Sequence, residues 1–354
     1  ALSSSNLALL SSTQLSGLTA NQVTNLSTSS LNALSTSSLV KLSGSQIAAL
    51  SSTQLNALSS SNLQALTTGQ IAGLSNTQTS NLTTAQINQL TTGQIKSISN
   101  SDITGLSSTQ LNSLSSSNLQ ALTTTQIQNL AVKQVQSLNS ATIGNLATNQ
   151  VAALTLSQLA AVTTSNLSGL NTSDIKSLSA TQVGSLTTAQ LNSLSSSNLS
   201  VLTSSQAQGL TATQVASLSS TNLNLLGTAD AAALNASQLA ALTSTQLNAL
   251  SSNNLQALTS NQVQALSKTQ IGNLSTSQLN LLTTAQTAAL NATELQALSS
   301  AQLNALSSNN LQALSATQLQ ALSTAQIANL SSAQINNLTT SQVVGLTGCL
   351  LYTS

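Results

Sequence analysis

The sequence contains no proline, tryptophan, phenylalanine, methionine or histidine, and only one cysteine and one tyrosine. Charged residues make up 3% of its 354 positions. Each scarcity removes a class of function. There is no histidine, and the four acidic residues, Asp102, Asp174, Asp230 and Glu294, lie far apart in sequence. General acid–base catalysis, nucleophile activation and metal coordination all need such groups in clusters. The glycines form no phosphate-binding loop. No catalytic, cofactor-binding or metal-binding residue and no cofactor is therefore expected, and the chain does not read as an enzyme. Its net charge is +1, with five lysines spread widely, which leaves no footprint for nucleic acid. No apolar run approaches the ~18 residues of a membrane-spanning helix, so no membrane insertion is expected. Disordered chains combine low hydrophobicity with high charge. This one has 40% hydrophobic residues and almost no charge.

What is present is one motif, repeated. In Leu82–Leu90 it reads LTTAQINQL. Leucine recurs every eighth residue from Leu2 to Leu346, replaced only by Ile98 and Val162, with no insertion or deletion. Numbering this octad from its leucine, position 2 is Ser or Thr in most copies, with Asn, Ala and Gly227 as substitutes. That is the alphabet of helix N-caps. Position 5 is mostly Gln, often Asn, and holds all four acidic residues. It lies three residues after the cap, so the pair reads as a capping box, as in Thr83 with Gln86. An acid there also meets the positive end of the helix dipole, which assigns capping roles to Asp102, Asp174, Asp230 and Glu294. Position 6 is Leu, Ile or Val, except Thr79, Ala207, Ala231 and Thr287. Positions 1 and 6 would then form a hydrophobic staple, as in Leu82 with Ile87, and supply the core together with the next leucine, Leu90. Nine of the fourteen glycines fall at positions 7 and 8. A short helix would end there, in a left-handed residue where one is needed. The lysines fit less cleanly, because Lys133 and Lys268 lie in the first turn, where the dipole disfavours them.

A single long helix fails on geometry. At about 100° per residue, an octad overshoots two turns by about 80°, and the leucine stripe would wind away from any common core. The chain must break once per octad. The expected fold is an all-α solenoid or superhelix of one- to two-turn capped helices, one per repeat, spanning residues 1–348 as a single domain. The rival is a β-solenoid, because Thr, Ile and Val favour strands and positions 6 and 8 alternate. One capped turn cannot stand alone, so neighbouring octads must stack and share a core. A longer period is superimposed. The hexapeptide LSSSNL starts at Leu2, Leu58, Leu114 and Leu194, and LSSNNL at Leu250 and Leu306, mostly in steps of seven octads. Gene duplication in blocks of seven octads is the first reading, and a match to whole superhelical turns the second. At the C-terminus, CLLYTS breaks the register and resembles one reading frame of a sequencing adapter. Cys349–Ser354 is therefore expected to be read-through on a metagenomic fragment cut at both ends.

The octads resemble the LTTxQ[ILV]xx arrays of large, repetitive secreted bacterial proteins of adhesin-like or haemagglutinin-like type. The resemblance covers Leu2–Gly348 and transfers no functional residue. It implies an extracellular or cell-surface location and a role as stalk, spacer or adhesive scaffold. Self-association or a cell-surface or host ligand would then be engaged through domains outside this chain. The alternatives are a protein- or peptide-binding α-solenoid, a self-assembling filament segment and an ice-binding solenoid.

Overall fold

A computed structural model of the chain describes residues 4–350, with side chains placed as far as Leu346. The expected read-through at 349–354 lies outside what is described, apart from helical backbone at 349–350. Almost every octad is one helix of four to six residues, from Ser4–Ala8 onward; the last, Thr340–Leu350, is longer at 11 residues. No strand occurs among the described residues, which overturns the β-solenoid alternative. The reason is local. In Thr84–Gln89 the Ile87 N–H reaches back to the Thr83 carbonyl at 3.0 Å, so the β-branched residue is drawn into a helical turn that its cap has already started. Only the junction is extended, at Leu90 (φ −60, ψ 140) and Thr91 (φ −69, ψ 159), and the next helix starts after it.

Contacts gather the chain into two units, Ala1–Leu178 and Ser179–Ser354. Within each, a helix packs on the third one along the chain. In the first unit Thr68–Ala72 meets Thr92–Ser97, and in the second Ala180–Ser185 meets Ser204–Gly209, which meets Thr228–Ala233. The core of each unit is built from positions 1 and 6. Leu82, Ile87 and Leu90 are all buried, Ile87 completely.

No residue has a positive φ among those described, so the glycines at positions 7 and 8 are not left-handed caps. Several of them mark helix crossings instead. Gly144 and Gly169, on successive turns, lie against each other, and a Cβ on Gly144 would sit 2.8 Å from the Gly169 carbonyl oxygen. Gly184 and Gly209 repeat the arrangement at the same sequence spacing, and a Cβ on Gly209 would run into the Ala180 carbonyl.

Candidate functional site

The polar side chains carry two layers of hydrogen bonds, one within the octad and one between turns. The inner layer is the capping box. Thr83 Oγ1 accepts from the Gln86 N–H at 3.2 Å, and Gln86 Oε1 accepts from the Thr83 N–H at 3.3 Å. The same reciprocal pair forms in most octads whose position 5 is Gln, for example Ser51 with Gln54 and Thr259 with Gln262.

The outer layer uses the other end of the same glutamine. Gln126 Nε2 donates to the carbonyls of Ile95 and Ile98 at 3.1 and 2.7 Å, 31 and 28 residues upstream. Gln158 repeats this on Ile127 and Leu130, and Gln246 on Val215 and Leu218. The first carbonyl of each pair, near a helix end, also accepts the N–H at the exit of its own helix, as Ile95 does from Ile98 at 3.3 Å; the second, at the helix exit, lies beyond the last intrahelical donor. One buried amide thus completes the start of one helix and the end of another a full turn away.

Position 5 has an alternative, and it involves position 7. Asparagine is one methylene too short to serve both layers. Asn118 donates Nδ2 to the Leu90 carbonyl at 3.1 Å and leaves its own cap, Ser115, without a box partner. Asn88, 27 residues before Ser115, fills the gap. Its Oδ1 accepts from the Ser115 N–H at 2.7 Å while its Nδ2 donates to the Ser113 carbonyl. Asn32 does the same for Ser59, Asn224 for Ser251 and Asn280 for Ser307. In each case position 5 of the served octad is Asn: Asn62, Asn254 and Asn310. The octad pattern by itself gives an asparagine at position 7 no role. The signal was present as asparagine pairs 30 residues apart, 32 with 62, 88 with 118, 224 with 254 and 280 with 310. Asn304 serves Ser331 although position 5 there is Gln334, and Gln334 Oε1 is left buried without a partner.

The four acidic residues divide. Asp174 takes the Asn171 N–H at 3.1 Å, and Asp230 takes the Gly227 N–H at 3.2 Å. Each also accepts from a hydroxyl 26 residues upstream, Asp174 from Thr148 at 3.0 Å and Asp230 from Ser204 at 3.1 Å. Glu294 takes the Asn291 N–H at 2.7 Å and is buried, and burial raises its carboxyl above the ordinary 4.5 against the pull of its Asn291 hydrogen bonds. Asp102 departs from expectation. Its carboxylate accepts the Ser99 hydroxyl instead of completing a box, and the octad forms a 3-10 turn, Ile103–Gly105, in place of an α-helix. Asp102 itself has αR geometry (φ −81, ψ −24) and stands outside that turn, so it caps nothing with its side chain.

The described residues include no cluster of three His, Cys, Asp or Glu side chains and no helix long and apolar enough to cross a membrane. An open polar groove of about 470 Å³ lies between Lys268–Gly272 and Ala292–Gln296, lined by Lys268, Thr269, Asn273, Thr293 and Gln296. The chemistry of the whole arrangement is recognition of its own backbone.

Among known proteins, a family model, the ALTTAQ repeat, matches residues 95–132, 241–276 and 316–348, together under a third of the chain. Within the second segment, Ala241–Gln246 reads ALTSTQ and holds a complete unit, with Thr243 and Gln246 boxed and Gln246 bridging to Val215 and Leu218. No curated protein matches the chain.

Proposed function

We propose that this repeat protein is a non-catalytic stalk or spacer, or an adhesive scaffold, of a large bacterial cell-surface or secreted protein. The observation that carries the reading is the commitment of the position-5 side chains. Gln126, Gln158 and Gln246, like their counterparts, bind a cap and an upstream turn at once, so the polar groups most able to do chemistry are consumed in joining turns. A lattice of this kind adds length one octad at a time, which suits a spacer. The matches to a repeat family agree with a structural role and name no ligand.

The test is reach. The array is displayed on bacteria between a membrane anchor and a labelled binding domain. The distance from label to membrane should grow with the number of octads, and the array alone should capture no host cells. A distance indifferent to octad number would remove the spacer reading, and capture by the array alone would turn it into an adhesin. The polar groove beside Lys268 favours a second reading, a protein- or peptide-binding solenoid. A single saturable partner in a pull-down, lost with Lys268→Ala, would establish it.

A further inference from the structure

We propose that Glu294 holds a proton in the place of an amide, so that the contact between its helix and the preceding turn is a pH-sensitive joint. The argument is one of register. In the flanking octads Gln286 donates Nε2 to the Leu255 and Leu258 carbonyls at 2.8 and 2.6 Å, and Gln302 to those of Gly272 and Leu274 at 3.0 and 2.7 Å. For Glu294 the carbonyls at the offsets Gln286 uses, 31 and 28 residues upstream, belong to Val263 and Leu266. Its Oε2 is engaged by the Asn291 N–H, and the octad register assigns Oε1 to the place where the other octads put a donor. An ionised carboxylate is acceptor only, and so is a carbonyl. Brought together by that register in a side chain only 2% exposed, the two acceptors would repel. A proton on Oε1 turns acceptor into donor and reproduces the glutamine pattern.

The charged surroundings are sparse. Helix Lys268–Gly272 packs against Ala292–Gln296 and carries Lys268. The nearby helices Ser260–Gln264, Thr284–Ala288, Ser300–Asn304 and Ala316–Gln320 carry no ionisable side chain. Lys268 is 26 residues upstream of Glu294, the offset from which Thr148 and Ser204 donate to Asp174 and Asp230. It forms no ion pair with Glu294 within 4.0 Å, so no counter-charge offsets the burial. The direction of the Glu294 shift, upward through burial, agrees with the geometry. For an acid raised in the folded state, the stabilisation is complete below the unfolded value of 4.5 and is lost as pH rises through the folded value.

Glu294 is the sole glutamate in the chain, which makes a direct test simple. Full-length chain made by cell-free synthesis with carboxyl-labelled glutamate gives one side-chain carboxyl resonance. Its titration midpoint should lie above that of free glutamate. The melting temperature of the wild type should fall relative to Glu294→Gln as pH rises above 4.5, with the two converging in acid. A midpoint at or below that of free glutamate would overturn the proposal. So would a difference between wild type and Glu294→Gln that is constant with pH.

Discussion

Asn88 and Asn304 occupy the same octad position and make the same pair of bonds across a turn, yet they should respond differently to loss. Asn88→Ala removes the acceptor for the Ser115 N–H, and Asn118 cannot replace it because its own amide is engaged with the Leu90 carbonyl. The cost should be on the order of 1 kcal/mol, since the freed N–H is near solvent. Asn304→Ala should cost almost nothing, because Gln334 Oε1 is buried, unpaired and able to take the Ser331 N–H as an ordinary box. Adding Asn118→Gln to Asn88→Ala should restore stability. Hydrogen exchange at the Ser115 and Ser331 amides reads all three, and equal loss at both sites would refute the bridge. Thr287 offers a test of opposite sign. It sits at position 6, fully inside the core, with its hydroxyl buried and unpaired. Thr287→Val keeps the branched shape and removes the unsatisfied group, so it should raise the urea midpoint by an amount corresponding to about 1–2 kcal/mol. The contrast between boxes and bridges explains what was legible. Thr83 with Gln86 and Leu82 with Ile87 are close neighbours in sequence, and local rules read them directly. The Asn88–Ser115 bond spans 27 residues, and its meaning depends on how many octads fill a turn, which no local rule supplies.

Each helix is too short to persist alone, so its ends decide whether it forms. The caps were legible because Ser, Thr and Gln act on the backbone beside them. The 3-10 turn at Ile103–Gly105 was not, because the sequence there keeps the pattern and places an acid where Asp174 and Asp230 cap well. The glycines were visible at the right positions but for the wrong reason. Their role comes from a neighbour one turn away. This gives substitutions of opposite sign. In helix Ser204–Gly209, Gly209→Ala would drive a Cβ into the Ala180 carbonyl, and the two helices must part. A loss of about 1–3 kcal/mol is expected for such overpacking. In helix Thr92–Ser97, Gly93 has nothing closer than 3.9 Å to an added Cβ. Gly93→Ala should therefore stabilise by about 0.5–1 kcal/mol through helix propensity and reduced freedom of the unfolded chain. Thermal midpoints of the two variants should move in opposite directions. If both fell, the crossing would not be the cause.

Within a unit, the offsets between hydrogen-bonded neighbours run from 25 to 31 residues, as in Asn56 to Asn81 and Gln126 to Ile95, and centre on the 28 that recurs at nearly every bridging glutamine. A turn of about three and a half octads returns to the same octad phase only after two turns, or seven octads, which is the spacing of LSSSNL at Leu58 and Leu114. Each of those hexapeptides contains an asparagine at position 5, Asn62 or Asn118, whose octad is served by Asn32 or Asn88. The long period therefore places like bridges on the same side of the same unit, whatever its origin in the gene. Deletions test this. Removing residues 59–114 joins Leu58 to Ser115 and sets Asn32 as far before Ser115 as Asn88 stands in the intact chain, so the bridge is rebuilt with a new partner. Removing the single octad 98–105 keeps every leucine, cap and box in phase but sets Ser80 at that distance, and Ser80 has no side-chain amide. The longer deletion should retain protection of the Ser115 amide from exchange, with a smaller denaturant m-value in proportion to the surface removed. The shorter one should lose that protection while leaving the m-value almost unchanged. Retained protection after the single-octad deletion would mean that turns re-register without regard to the asparagines, and that the long period has no structural consequence.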